Sequence, residues 1–437
     1  MKKGNFWALM PIIVFLVLFI GFGVITGDFY AMPAYVGFMI ALIIAFFQNK
    51  KLKFEEKVSI AAKGAGSENI MIMCLVFLLA GAFSGAVSAA GGATSAANFG
   101  LSILPTNVAV VGIFVIACFI SISMGTSVGT ITALTPIAVE MSSASGIPLA
   151  LCVAAVISGS MFGDNLSMIS DTTIAATRTQ GCKMDDKFKE NFKIVLPAAV
   201  LTLVIFFIVT LGANYSVSED LSYDIVRILP YILVLITALC GVNVFIVLSL
   251  GTVLSLIVGL FYGDFTIIET FSVVGNGMVG MFEITVISLT VGAVFGLIKE
   301  NGGIDFILNF IKTRIKSKKG AELGIATLAG LVDMSTANNT VAIVIAGPIA
   351  KEIADEFEVS PKRTASLLDI FSSAFQGIIP YGAQVLTAAS LAGLSPLEPI
   401  PYLFYPILML ISALVFIMWP EKWKKASKTA ENQSKEQ

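Results

Sequence analysis

Residues 158–178 read SGSMFGDNLSMISDTTIAATR. Two carboxylates, Asp164 and Asp171, stand seven positions apart there, among Asn165, Ser170, Thr172 and Thr173. Carboxylate, amide and hydroxyl oxygens are hard donors that suit a small cation or a proton. Seven residues make two helical turns, so an unbroken helix would put both acids on one face. A break at 163–165, after Gly159 and Gly163 have loosened the backbone, would instead let them bracket one pocket. The flanking sequence is apolar, and a carboxylate at the centre of a bilayer costs about 2.5–3.5 kcal/mol on insertion scales. The pair is therefore expected to face a bundle interior or an aqueous cavity. The alternative is an exposed loop between two short helices.

Three further groups could join this chemistry. Asp333 precedes the run STANNT at 335–340, with Ser335, Thr336, Asn338 and Asn339. It reads as a third carboxylate, with amides and helix-end dipoles completing a central cation or proton site. Otherwise its neighbours only cap a turn. Ser123, Thr126 and Ser127 in the run SMGTS, and Gln376, Gly377, Pro380, Tyr381 and Gln384, are candidates to line a substrate path. Small hydroxyl residues are also ordinary packing material between membrane helices. Gln376 and Gln384 align with Gly163 and Asp171. Glu283 and Asp369 read as intramembrane acids on other faces, each a proton relay or an ion-paired group, with Arg363 six residues before Asp369. Glu140 and Glu352 read as interfacial, and the charges at 185–191 as a solvated cytoplasmic loop.

The rest of the chain must hold these groups inside a membrane. Of 437 residues, 57% are hydrophobic and 13% charged. The mean hydropathy is +0.91. Apolar runs of membrane length recur, so the fold class is an all-α polytopic membrane protein. The five cysteines form no C-x-x-C pair, and histidine is absent. This removes the usual zinc ligands and the His-dependent catalytic triads, and leaves proton chemistry to carboxylates. No nucleotide-binding loop is present. No enzyme activity, cofactor, resident metal or nucleic-acid partner is expected.

Residues 1–56 predict two spans, at 6–26 and 33–47, before the basic loop of Lys50, Lys51, Lys53, Lys57 and Lys63. By the positive-inside rule that loop is cytoplasmic, which puts the N-terminus inside. Offset by 211 positions, Gly81, Gly85 and Asn98 match Gly292, Gly296 and Asn309; after a one-residue gap TPIAVEM at 135 matches GPIAKEI at 347. Residues 57–212 and 268–420 thus read as two repeats, and the basic run at 312–319 gives the second the opposite sense. Inverted repeats are a transporter signature. Residues 213–267 supply connecting spans, and 421–437 a polar cytoplasmic tail. Residues 106–141 would be about 54 Å long as helix, far beyond one crossing. A re-entrant hairpin explains them and 321–351; two full crossings would give the same end points, but the uncharged connection at 142–147 and the charged one at 351–363 favour hairpins. A broken helix explains 148–178 and 363–392, because unwound backbone is tolerated at depth only when it is buried or lines a cavity. About ten spans and two re-entrant hairpins result, with both termini cytoplasmic and all four polar breaks meeting near the midplane.

The stretch FGDNLSMISDTT at 162–173 resembles the G-D-x-x-S-x-x-S-D-T-T signature of the NhaC-type sodium/proton antiporter family, in the larger ion-transporter superfamily. TANNTVAIVIAGPIAKEIADEF and DIFSSAFQGIIPYGAQ resemble a branch of it proposed to carry amino acids. Met168 departs from the proline that many members have there. The resemblance implies a secondary transporter of a bacterial inner membrane, two inverted five-element repeats and often a homodimer. The reading is exchange of Na⁺ for H⁺ at shared carboxylates: desolvation holds a proton on a carboxyl, and a bound cation displaces it. The runner-up keeps the fold and carries an amino acid or small organic acid with Na⁺ or H⁺. An intramembrane aspartyl protease would need Gly-x-Gly-Asp, and Met161 stands at the first glycine. A passive channel is disfavoured by the inverted repeat.

Overall fold

The computed structural model describes residues 4–26, 32–103, 105–168, 170–211, 221–240 and 242–418. The tail at 421–437 and most of the loop at 214–224 lie outside the described residues. Among the described residues all regular structure is helical. A 3₁₀ turn, Phe6–Leu9, leads into α1 (Met10–Thr26), followed by α2 (Ala34–Phe47), α3 (Phe54–Ala65), α4 (Glu68–Ala89) and α5 (Gly92–Ile103). A hairpin of α6 (Thr106–Met124) and α7 (Ser127–Ser145) comes next, then α8 (Leu149–Leu166), α9 (Asp171–Gln180) and α10 (Met184–Leu211). Two connecting helices, α11 (Ile225–Leu239) and α12 (Val244–Tyr262), precede α13 (Glu269–Val279), α14 (Phe282–Glu300) and α15 (Gly303–Lys312). The second hairpin is α16 (Lys318–Thr336) with α17 (Asn339–Glu356); α18 (Pro361–Gln376), α19 (Ala383–Ala392) and α20 (Phe404–Met418) close the chain.

Five described segments are long and apolar enough to cross a membrane: Ile70–Ala89, Leu149–Gln180, Met184–Leu211, Val244–Tyr262 and Phe282–Glu300. The shorter apolar helices include Ala34–Phe47 and Phe404–Met418. The protein is an integral membrane protein.

The helix boundaries recur along the chain. α6, α7 and α9 begin 212 positions before α16, α17 and α19. α8 and α18 obey the same offset, because Pro148 is the N-cap of α8 whereas Ser360 caps α18 and Pro361 is already inside it. This corrects the alignment of the glutamines. Gln376 stands opposite Asp164 and Gln384 opposite Thr172, not opposite Gly163 and Asp171.

The helices also pair reciprocally: α3 packs on α14 as α13 packs on α4, and α7 on α19 as α17 on α9. Glycine makes the first pairing close. A Cβ at Gly277 would stand 2.2 Å from the Gly81 carbonyl oxygen, and one at Gly64 2.3 Å from that of Gly292. Such contacts let backbones approach and pack where lipid offers no hydrophobic drive between helices. The same chemistry corrects the reading of residues 159–163. Gly159 and Gly163 do not loosen α8; they seat it on α6, where added Cβ atoms would meet Phe114 O at 2.3 Å and Ser121 Cβ at 2.4 Å. α8 therefore stays helical through Gly163–Asn165 and ends at Leu166.

Near the connecting helices, Arg227 donates to both carboxylate oxygens of Asp264 at 2.7 and 3.0 Å and lies over the Tyr262 ring. The Tyr262 hydroxyl donates to Asp224. This cluster ties the start of α11 to the end of α12.

Two glycines of α13 give a direct test. Gly277→Val should lower the melting temperature of detergent-purified protein, in line with the roughly 1–3 kcal/mol cost of overpacking. Gly275→Ala, where nothing lies within 4 Å of an added Cβ, should melt at or slightly above the wild-type temperature, because alanine is the better helix former.

Candidate functional site

Each break is built from local capping. α6 ends at Gly125 in the left-handed region (φ 66°), and the Thr126 side chain accepts from Gly129 N to open α7. The second hairpin repeats the device with Ala337 (φ 50°) and Asn338, whose side chain accepts from Val341 N. Beyond α8, Ser170 accepts from Thr173 N to open α9. Its hydroxyl also bonds the Asp164 carbonyl oxygen at 3.2 Å and the Thr173 hydroxyl at 3.0 Å. The helix thus breaks after Leu166 and resumes at Asp171, one turn later than the glycine pattern suggested. Asp164 sits in the last turn of α8 and Asp171 is the first residue of α9. Asp164 is buried and Asp171 exposed, so the two acids bracket the break from different environments.

Side chains then join the breaks to one another. Gln384 Nε2 donates to Ser127 Oγ at 3.1 Å, and Ser127 Oγ donates to Asp164 Oδ2 at 3.1 Å. This chain links the first turns of α19 and α7 to the end of α8. Gln376 Nε2 donates to the Ala337 carbonyl oxygen at 2.9 Å, and Tyr381 Oη donates to that of Met334 at 2.7 Å. The facing ends of α18 and α19 therefore reach both hairpin tips, Gln384 the first and Gln376 the second. Gly377 is buried, with Met161 so close that a Cβ would overlap its sulfur; Pro380 is half-buried.

Several candidates are engaged locally. Ser123 and Ser335 bond back to carbonyls four residues earlier in their own helices. Thr336 Oγ1 donates to Asn338 O, and Asn339 Oδ1 accepts from Thr340 N. Thr172 shares a hydroxyl contact with Ser170. Asp333 behaves otherwise. It is fully buried, and neither carboxylate oxygen has a hydrogen-bond partner among the described residues.

The residues at 185–191 require the largest correction. They are the first turns of α10, and Lys187 and Asn191 are buried. Lys187 Nζ pairs with Asp369 Oδ2 at 2.8 Å and donates to Asn165 O at 3.1 Å and Thr173 Oγ1 at 2.7 Å. Its three protons have three acceptors, two of them flanking the α8–α9 break. Asn191 Nδ2 donates to Asp369 Oδ2 at 2.7 Å and to Asn165 O at 2.8 Å. Asn165 itself donates to Asp369 Oδ2 at 3.3 Å and accepts from Tyr405 Oη at 3.1 Å. Asp369 is ion-paired, then, but not with Arg363. Arg363 instead bridges Glu322 at 3.2 Å and Glu190 at 3.5 Å. Glu283 lies exposed on the first turn of α14, apart from these bonds, and the Glu140 carboxylate accepts from Thr94.

The signal for Lys187 and Asn191 was present in the sequence. They stand four apart and continue the stripe Ile194, Ala198 that α10 buries. Removing one partner of a buried pair strands the other charge, typically at about 3–5 kcal/mol, whereas removing both is often tolerated. Lys187→Met and Asp369→Leu should each melt well below wild type in detergent, and the double variant should recover most of the loss. Additive losses in the double variant would contradict this pairing.

The Na⁺/H⁺ antiporter family model matches residues 4–212 and 196–419. The malate-2H⁺/Na⁺-lactate antiporter of Bacillus subtilis is 20% identical, over 95% of this chain and 96% of its own length. The Na⁺/H⁺ antiporter NhaC of Alkalihalophilus pseudofirmus is 22% identical over 73% of this chain and 75% of its own. The arginine/ornithine antiporter ArcD of Halobacterium salinarum is 23% identical over 72% of each. With the family model matched along nearly the whole chain, on a helical frame that brings its polar breaks together, the protein belongs to the Na⁺/H⁺ antiporter family of secondary transporters.

Proposed function

We propose that this transporter exchanges Na⁺ for H⁺ at carboxylates gathered on the helix breaks. The observation that carries the reading is a surplus of buried acids over buried cations. Asp164, Asp333 and Asp369 are all buried there, and Lys187 is the buried ammonium among them. A buried carboxylate without a partner is costly unless it takes up a proton or a cation. Asp164, with Asp171 across the break, is the first candidate to alternate between the two; Asp333 is the second. Ser127, Ser170, Thr172, Thr173 and Asn165 supply neutral oxygens near the first acid. Ser335, Thr336, Asn338 and Asn339 lie at the second hairpin tip, to which Gln376 is bonded, and Gln384 reaches the first tip at Ser127. Asp164 and Asp171, with Asp333 joining them, would titrate as a coupled set and not one by one.

In this reading the two repeats run in opposite senses, and exchange of their conformations moves the site from one side of a bacterial inner membrane to the other. The hairpins are re-entrant, their tips meet the broken helices near the midplane, and both termini are cytoplasmic. A homodimer is compatible with the family resemblance. A second reading is supported by the named activities of two relatives: coupled movement of a small carboxylate or a basic amino acid. The side-chain oxygens of Gln376 and Gln384, without a partner among the described residues, would then accept from a substrate hydroxyl or ammonium.

Asp164→Asn and Asp171→Asn keep size and hydrogen-bonding capacity while removing the charge. In proteoliposomes each should abolish Na⁺-driven proton movement with the melting temperature preserved. Asp185→Asn, at an exposed position, should transport like wild type. Wild-type exchange by a folded Asp164→Asn or Asp171→Asn variant would refute the shared-carboxylate mechanism. Retained Na⁺ binding with amino-acid or organic-acid flux lost would select the second reading. For topology, a cysteine at Lys51 should label only after permeabilisation and one at Ser218 from outside, in a background without the native cysteines.

A further inference from the structure

Beside the second hairpin tip, a cavity of about 330 Å³ lies between α1, α15 and α16. Its walls are apolar: Ile13 from α1, Ile307 and Phe310 from α15, Leu331 from α16. Ser335 and Tyr381 also line it. No charged side chain contributes to the lining, so the space suits neither an ion nor a carboxylate substrate. It is the shape and polarity of a bed for a hydrocarbon chain.

One edge of the groove is charged. Arg314 follows α15, lies over the Phe310 ring at 3.6 Å, and donates to the Phe310 carbonyl oxygen at 2.9 Å. The guanidinium is exposed, and no carboxylate pairs with it among the described residues. It is therefore held in place on a groove-lining ring while most of its five donors remain open. Lys316 follows, and Lys318 opens α16, both exposed. A planar guanidinium with free donors matches a phosphate group, and basic residues beside transmembrane helices attract anionic headgroups.

We infer that this groove binds one anionic phospholipid, with an acyl chain between α1, α15 and α16 and its phosphate on Arg314. The far end of the chain would rest against Tyr381, whose hydroxyl holds the Met334 carbonyl one residue beyond Asp333. The lipid would thus buttress the turn that carries the second hairpin tip. The inference stands apart from the identity of the cargo.

The test is native mass spectrometry of the full-length chain, purified in detergent and titrated with palmitoyl-oleoyl phosphatidylglycerol or phosphatidylcholine. One phosphatidylglycerol should be retained at lower lipid concentration than phosphatidylcholine. Arg314→Gln should weaken phosphatidylglycerol about fivefold, the size expected for one basic contact, and leave phosphatidylcholine unchanged. Ile13→Trp and Leu331→Trp, each filling the groove, should weaken retention of both lipids at an unchanged melting temperature. Having two such variants keeps the test decisive if one fails to fold. Lys53→Gln, at the N-cap of α3, should bind as wild type. Equal retention of the two lipids, a preference unaffected by Arg314→Gln, or a lipid-free dimer whose formation the tryptophan variants block would each overturn the proposal.

Discussion

An ammonium group in a low-dielectric interior needs an acceptor for every proton and a countercharge for the whole. The polar half of this structure is arranged around meeting that demand for Lys187. Asp369 supplies the charge from α18, Asn165 a carbonyl from the end of α8, and Thr173 a hydroxyl from the start of α9. The break between α8 and α9 lies between two of these acceptors, so its geometry and the position of α10 are fixed by one group. Asn191 and Tyr405 then occupy further lone pairs and donors around Asn165 and Asp369. Such a network specifies one arrangement because a half-satisfied version would be worse than an apolar core.

The apolar half is governed by distance of approach. Helices of the two halves cross with glycine against carbonyl at Gly81 and Gly277, and at Gly64 and Gly292. The reciprocal pairing means that one type of crossing, made twice, frames the site helices. Asp164, Asp333 and Asp369 can then lie buried inside one bundle.

Much of this was legible in the sequence. Helical class, the hairpin tips at Gly125–Thr126 and Ala337–Asn338, and the break after Gln376 all follow from lengths, glycines and capping residues that act locally. What misled was ambiguity in what a residue type does. Gly163 is equally a breaker and a packing surface, and only the presence of α6 decides. Lys187 lies within a run of mixed charge that looks solvated by composition; its partner is 182 residues away and no local rule finds it. Asp171 reads like Asp164 in the motif, yet burial separates them, because the chain turns between the two. Arg363 is near Asp369 in sequence but meets Glu322 and Glu190, since six residues along a helix place side chains on different faces.

The match of Asp164 with Gln376 across the two halves has a consequence for the resting molecule. In a carrier whose halves trade conformations, related positions trade surroundings as well. A carboxylate and an amide are alike in size but differ by a charge whenever the carboxyl is ionised, so under the proposed exchange the trade would be neutral only with a proton on Asp164. The two facing states of such a carrier would then differ in energy by an amount that loading at this one position sets.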